Sequence, residues 1–391
     1  MQVRSIKKRV FAWFLNIGLY VLTLPFRLFR TPKSTNIGNP DSFLIVRLDN
    51  IGDVILSTPL YHSIKERFPS AKISVLCGSW AKEILGNNPY VDSLIVVDCP
   101  WWSYIRNDAK TTGSFIKNLY KTIREICHRR FDVFIDLRGD IRHILLFGWI
   151  PRIPVRISYT RSGGKFLLTN AFKHEDGKHE IERNYNLFRS FEPINRYWKT
   201  EIYTKPNITN VLKDNIGFSI NLDTDDFAVI FNGGRSKLRR LRNEKIAYLC
   251  KILIKEHSLK CFYVGHREDF KDGEEIGRSI DLHDGNFVNL CGVLTLTEVR
   301  DLINLSKIFI GSDSSVLHLS ASTDTPSISL FGPVNPEQAM PIGVNKKVIY
   351  HKYSCSPCLQ EICIVTGSKK IAQCMEDITV EEIILNVEEL L

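Results

Sequence analysis

The sequence predicts an α/β protein made of two doubly wound, Rossmann-like domains in tandem, and three observations carry that expectation. Apolar, strand-like runs alternate with amphipathic stretches from Phe43 to Leu137. The alternation weakens between Arg152 and Asp226, where Gly, Pro, Asn and charge are frequent, and restarts at Phe227. The chain has 391 residues, room for two domains of roughly 100–200 residues each. Strands separated by helices imply right-handed βαβ units and parallel sheets.

Taken in order, FLIVRL (Phe43–Leu48) reads as a buried strand, and Asp53–Phe68 as a helix kinked at Pro59. Ile73–Cys77, Leu94–Val97 and Val133–Leu137 read as further strands, with a helix over about Gly113–Arg129. In the second half, strands are expected at Phe227–Asn232, Cys261–Gly265, Phe287–Gly292, Ile308–Ser312 and Ser327–Gly332. The helices between and after them fall near Asn243–Glu256, Asp272–Ile280, Thr295–Leu305, Ser314–Ser322 and Val380–Leu390. The expected division is an N-terminal segment 1–40, a first domain 41–215 and a second domain 216–391, with the linker near Lys205–Asp226.

Hydrophobic residues make up 44% and charged residues 24%, which excludes a disordered or wholly membrane-embedded chain. The net charge of +9 favours anionic partners: nucleic acid, anionic lipid or phosphorylated small molecules. Residues Arg4–Arg9 (RSIKKR) precede an apolar run, Phe11–Phe26, 16 residues long. A spanning helix needs about 20 residues, so the run is expected to lie in a membrane interface between basic flanks. The other readings are a helix packed on the body of the protein and a true membrane span. No cleavable signal with a small-residue site is evident, which favours a reducing cytosol and the inner membrane face.

In open α/β sheets ligands bind beyond the carboxyl ends of the strands, and with two domains the cleft between them is the expected site. Three loops there carry unusual chemistry. In Leu48–Val54, Gly52 permits a tight turn and Asp53 falls at a helix start. Asp53 is either a helix cap or a general base that takes the proton of an attacking hydroxyl; Asp49 competes for the second role. In GGRSKLRRLR (Gly233–Arg242), Arg235, Lys237, Arg239, Arg240 and Arg242 suit a diphosphate, or else form a solvated basic loop. In Gly311–His318, Asp313, Ser314 and Ser315 open a helix whose amides suit phosphate, or act as an ordinary cap, with His318 a packed helix residue.

Ten cysteines are present, and four form a C-x2-C-x4-C-x10-C pattern: Cys355, Cys358, Cys363 and Cys374. Such a set suits a structural zinc, with buried thiols or labile disulfides as the other readings. The Asp223–Asp225 pair precedes a strand and reads as polar linker, so no catalytic divalent metal is expected.

Four segments, in order, resemble glycosyltransferase family 9, the heptosyltransferases: IVRLDNIGDVILSTPL, DLRGDIRHILL (Asp136–Leu146), HEIERNYNLF (His179–Phe188) and FIGSDSSVLHLSASTDTPSISLFGPVNP. The resemblance covers about Phe43–Leu391. It implies a GT-B fold and an inverting transfer from an ADP-activated heptose, with no cofactor required. It makes Asp53 the catalytic base, with Gly52 supporting. It places Arg239 at the donor phosphates, Asp313 at the donor sugar, Ser314 and Ser315 at the diphosphate, and His318 in support. Lipopolysaccharide core would be the acceptor, and the membrane surface a partner. Two departures leave the donor open: Ser315 stands where the family has Gly, and Arg239–Arg242 where it has Lys-x-Trp-Pro. A non-catalytic sugar-nucleotide or glycolipid binder is the alternative function. Nucleic-acid binding lacks any supporting motif, and an epimerase would need further acid/base carboxylates.

Overall fold

The computed structural model describes residues 16–25, 38–99, 112–205, 208–216, 225–234, 236–280, 285–358 and 360–391. The chain forms two compact units, Met1–Tyr197 and Trp198–Leu391. The sequence suggests a linker near Lys205–Asp226, yet residues from Trp198 onward already belong to the second unit. There Thr204 donates to the Asp301 carboxylate (2.7 Å), and the helix Ile208–Ile216 packs on the helix Leu296–Leu305.

The first unit is a six-stranded parallel sheet of β1 (Ser42–Arg47), β2 (Lys72–Cys77), β3 (Ser93–Val96), β4 (Val133–Asp136), β5 (Val155–Tyr159) and β6 (Asn170–Phe172), in the order β3-β2-β1-β4-β5-β6. The second is a six-stranded sheet of β7 (Phe227–Phe231), β8 (Lys260–Val264), β9 (Phe287–Asn289), β10 (Ile308–Ser312), β11 (Ser327–Phe331) and β12 (Lys346–Tyr350), in the order β12-β11-β10-β7-β8-β9. Counted within each unit, both orders are third, second, first, fourth, fifth, sixth. That order reverses direction between the first and fourth strands, and the crevice there is where such sheets bind ligands.

The apolar runs that marked the central strands follow from burial on both faces of a parallel sheet. Every residue of β4, β7, β10 and β11 is buried, as are five of the six in β1. The strands that escaped sequence reading lie toward or at the sheet edges. In β6 and β12 most residues are only half-buried or exposed, so their composition carries polar residues and the apolar signal fades.

The segment after β1 is two helices rather than one kinked helix, Ile51–Ile55 and Thr58–Arg67, separated at Leu56–Ser57. Pro59 sits in the first turn of the second, where its missing N–H is no loss. Gly52 makes no left-handed turn; it is buried within the first helix. The left-handed position that matters here is Gly139 (φ 83°), after β4. A Cβ there would stand 2.7 Å from the Tyr159 carbonyl oxygen, and the Gly139 amide donates to the Asp136 carboxylate (2.7 Å).

Residues 16–25 are helical. Asn16 clips this helix to the turn after β5: its side-chain amide donates to the Ser162 carbonyl (3.0 Å) and its oxygen accepts from the Gly164 amide (2.9 Å). Tyr20 meets Phe166 edge to face, and Leu19 packs on the first unit's core. Ile17, Tyr20, Val21, Leu22 and Leu24 are exposed. No helix among the described residues is long and apolar enough to cross a membrane.

Candidate active site

In the first unit the switch point is built around one buried cation. Arg47 ends β1, and its side chain is wholly shielded from solvent. Its guanidinium pairs with Asp49 (3.0 Å) and Glu180 (2.7 Å), and its Nε donates to the Asp53 carbonyl (2.9 Å). Glu180 and Asp49 hold it charged despite its burial. Asp49 also accepts from Arg138 of the loop after β4 (2.7 Å), and the Trp80 indole donates to the Asp49 carbonyl (2.9 Å). Asp49 is therefore buried between two arginines.

Asp53 is placed differently. Asn50 occupies the helix cap and its side chain makes no cap bond; Asp53 is the third residue of the helix, so the cap reading does not hold. The Asn50 side chain instead donates to the Asp53 carboxylate (3.1 Å). Asp53 is half-buried. Burial pushes its carboxyl up to about 6, with Glu180 and Asp49 adding repulsion that Arg47 and Arg138 partly offset. A base with a pKa near the working pH combines availability with appetite for a proton.

In the second unit the loop after β7 is fixed by Leu238 and Leu241, both buried in its core; each such burial stabilises by about 1.5–3 kcal/mol. Leu241 stands where the resemblance leads one to expect Trp. Asn232 locks it from both sides, donating to its carbonyl and accepting from its amide (2.9 Å each). These anchors present Arg239 and Arg240 between them. Arg239 pairs with Asp313, beyond β10 (2.8 Å). Burial raises the Asp313 carboxyl and Arg239 opposes the rise. Ser312 donates to the Gly233 carbonyl (3.2 Å), and Gly234 (φ 113°) lies against Ser314. The loops after β7 and β10 are thus stitched at three points.

The other cations of the loop divide. Arg240 is held by Asp269 (2.8 Å) and Asp272 (3.3 Å), and Arg242 pairs with Glu376 (2.8 Å). Lys237 is exposed, and Arg235 lies outside the described residues. Ser314 is the cap of the helix Ser315–Ser320, its hydroxyl accepting from the Val316 amide (3.2 Å); His318 is buried in that helix. Asp225 pairs with Lys260 (2.6 Å), as a polar linker residue would, while Asp223 is outside the described residues.

Cys355, Cys358, Cys363 and Cys374 all line one small cavity behind Leu238. All ten cysteines are free thiols. Thr366 and the amides of Gln373 and Val365 pull the Cys363 thiol down to about 7 against its burial, whereas burial raises Cys374 to about 11. Among the described residues no three His, Cys, Asp or Glu side chains are arranged to hold a metal.

Sequence reading missed Arg47, Arg138 and Glu180. Arg47 had a signal: a lone cation closing an apolar strand needs a buried partner. Glu180 had none, being distant in sequence.

Two Rossmann-like units, each built on a six-stranded parallel sheet, give the fold of the GT-B glycosyltransferases. Solved structures share this fold. One is an ADP-heptose lipopolysaccharide heptosyltransferase II of Escherichia coli (TM-score 0.71, 20% identity, 89% of this chain and 98% of that one). Another is a family 9 glycosyltransferase of Veillonella parvula (TM-score 0.73, 20% identity, 91% and 99%). Among curated relatives, lipopolysaccharide heptosyltransferase 3 of E. coli K12 is 26% identical over 290 residues, 72% of this chain and 79% of the relative. Lipooligosaccharide heptosyltransferase 2 of Haemophilus ducreyi is 21% identical over 318 residues, 78% and 87%. The profile of glycosyltransferase family 9 (heptosyltransferase) matches residues 119–369, and the chain belongs to that family. Of the two functions the sequence left open, the catalytic one is the better supported.

The raised Asp53 carboxyl has a consequence for stability. A group whose folded pKa exceeds its unfolded value stabilises below the unfolded value and loses that contribution as pH rises through the folded one, here from about 3.8 to about 6. Asp53→Asn should therefore stabilise the protein at pH 8. After discounting for the carboxylate's partial exposure the gain is about 1–2 kcal/mol. Urea denaturation across pH 4–8 should show it shrinking below pH 6.

Proposed function

We propose that this chain is an inverting, metal-independent transferase that moves a heptose from ADP-heptose onto lipopolysaccharide core or a related glycolipid. The reading extends to this chain what its relatives are named for. The observation that carries it is the half-buried Asp53 carboxyl, set at a helix start and raised to about 6 beside Arg47, Arg138, Asp49 and Glu180.

In the proposed reaction an acceptor hydroxyl attacks the anomeric carbon from the face opposite the diphosphate. Its proton passes to Asp53 as the new glycosidic bond forms. The bond from the anomeric carbon to the diphosphate breaks with its electron pair, inverting that centre and releasing ADP. Negative charge grows on the leaving diphosphate, and Arg239 with the amides at Ser314–Ser315 offsets it. Asp313, which holds Arg239 at 2.8 Å, orients that guanidinium and accepts from hydroxyls of the donor sugar. Arg240 is tied to Asp269 and Asp272, so its part is to shape the loop rather than to meet the phosphates.

The enzyme is proposed to work on the inner face of the cytoplasmic membrane, with helix 16–25 in the interface. Its support is the row of exposed apolar residues opposite the Asn16–Leu19 contacts, preceded in sequence by RSIKKR and followed by RLFR. Replacing Val21 and Leu22 together by Asp should abolish co-sedimentation with vesicles containing anionic lipid and leave circular dichroism unchanged. Retention of vesicle binding would move the contact elsewhere.

The test of the reaction is release of ADP from ADP-heptose in the presence of acceptor. Asp53→Asn should cut kcat by about 10²–10⁴ while leaving donor binding near wild type. A variant within about tenfold of wild type is incompatible with Asp53 as the base. Absence of turnover in the wild-type protein with any nucleotide sugar, with binding retained, would favour the non-catalytic alternative.

A further inference from the structure

We propose that Glu180 is a positioning residue for Asp53, acting through the buried Arg47 to which both are bound. The proposal rests on the reading of Asp53 as the base and concerns what holds that base in place.

Glu180 is the first residue of the helix Glu180–Asn186, more than a hundred residues along the chain from Asp53. His179 caps this helix, its Nδ1 accepting from the Ile181 amide (3.2 Å). One Glu180 oxygen is taken by Arg183 (Nε, 3.0 Å), which fixes the carboxylate from its own helix. The other accepts from Arg47 (2.7 Å). Arg47 in turn donates through Nε to the Asp53 carbonyl (2.9 Å). The same helix reaches the far end of the Asp53 turn as well, since the Asn184 side chain donates to the Leu56 carbonyl (3.1 Å). The short helix Ile51–Ile55 is therefore held by this distant helix directly at Leu56 and, through Arg47, at Asp53. A five-residue helix does not hold its shape alone, and this grip supplies what it lacks.

Charge gives Glu180 a second effect. The groups facing Asp53 are Arg47 from β1, Asp49 from its own loop, Arg138 from the loop after β4, and Glu180. With Asp53 itself counted, two cations stand against three carboxylates. Neutralising Glu180 leaves two cations against two carboxylates, and the loss of its repulsion favours the ionised form of Asp53. It also leaves Arg47 under-compensated in a site with no solvent access, so the guanidinium draws on Asp49 and Asp53 instead.

The experiment compares Glu180→Gln, which keeps size and an acceptor oxygen, with Glu180→Asp, which keeps charge and shortens the reach. For Glu180→Gln the acid-side midpoint of the kcat/KM profile should move down by about half a pH unit or more. Its kcat at pH 7 should fall roughly tenfold or more, with donor KM unchanged. For Glu180→Asp, kcat should fall while the midpoint stays near wild type. A separate readout needs no turnover: the carboxyl carbon-13 resonance of Asp53, titrated in wild type and Glu180→Gln. A downward move of that midpoint supports the proposal even if Asp53→Asn proves active and the base assignment fails. An unmoved Asp53 midpoint in a folded Glu180→Gln protein overturns it, whatever the turnover. Should Glu180→Gln not fold, Glu180→Asp decides: wild-type kcat overturns the proposal, and a reduced kcat at an unmoved midpoint supports it.

Discussion

The first unit is organised by the need to compensate one buried guanidinium. Arg47 has no route to water, and an unpaired buried cation costs several kcal/mol. Its partners come from three places: Asp49 two residues on, an ion pair only, and two hydrogen-bond acceptors, the Asp53 carbonyl within the next helix and Glu180 from a helix far along the chain. Satisfying Arg47 therefore draws the loop after β1 and the helix Glu180–Asn186 to one point. Arg138 adds the loop after β4 through Asp49. What remains is Asp53, whose backbone is committed and whose carboxylate is not bound by either arginine. Burial, with two other carboxylates nearby, raises the proton affinity of Asp53, so the constraint that fixes the fold also bears on this carboxyl.

The two units solve the same topological problem with the same device. In each, the loops after the first and fourth strands are tied by one arginine–aspartate pair at 2.7–2.8 Å. In the first unit the aspartate (Asp49) follows the first strand and the arginine (Arg138) the fourth. In the second the order is reversed, with Arg239 after the first and Asp313 after the fourth. The burial differs too. Asp49 is sealed and serves structure, whereas Arg239 is about one-third exposed, which leaves it open to an anionic ligand. One fold thus presents a carboxylate at one switch point and a cation at the other.

Much of this was legible in the sequence, for identifiable reasons. The central strands announce themselves because burial on both faces demands unbroken apolar runs, and the loops that follow them stand out because charge and glycine interrupt those runs. The edge strands β6 and β12 are wet on part of their surface and carry no such run. Pro59 suggested a kink in one helix where the chain makes two, since proline is as welcome in a first turn as it is disruptive in the middle. The loops that carry Asp53, Arg239 and Asp313 stood out by position after their strands, and the family resemblance singled Arg239 out from the five cations of its loop. The partners that tune them did not stand out: Glu180 and Arg47 are joined only by folding, and the commitment of Arg240 to Asp269 and Asp272 depends on where the helix Phe270–Ile280 comes to rest.

As the proposed base, Asp53 owes its proton affinity, raised to about 6, to burial and neighbouring carboxylates. The pH dependence of single-turnover transfer by the wild-type enzyme tests it most directly, under conditions where donor and acceptor are both saturating. The expected rate is level above pH 7 and falls about tenfold per unit below a midpoint near 6. A rate flat from pH 4.5 to 8, or one whose only midpoint lies near that of an unperturbed carboxylate, would contradict it.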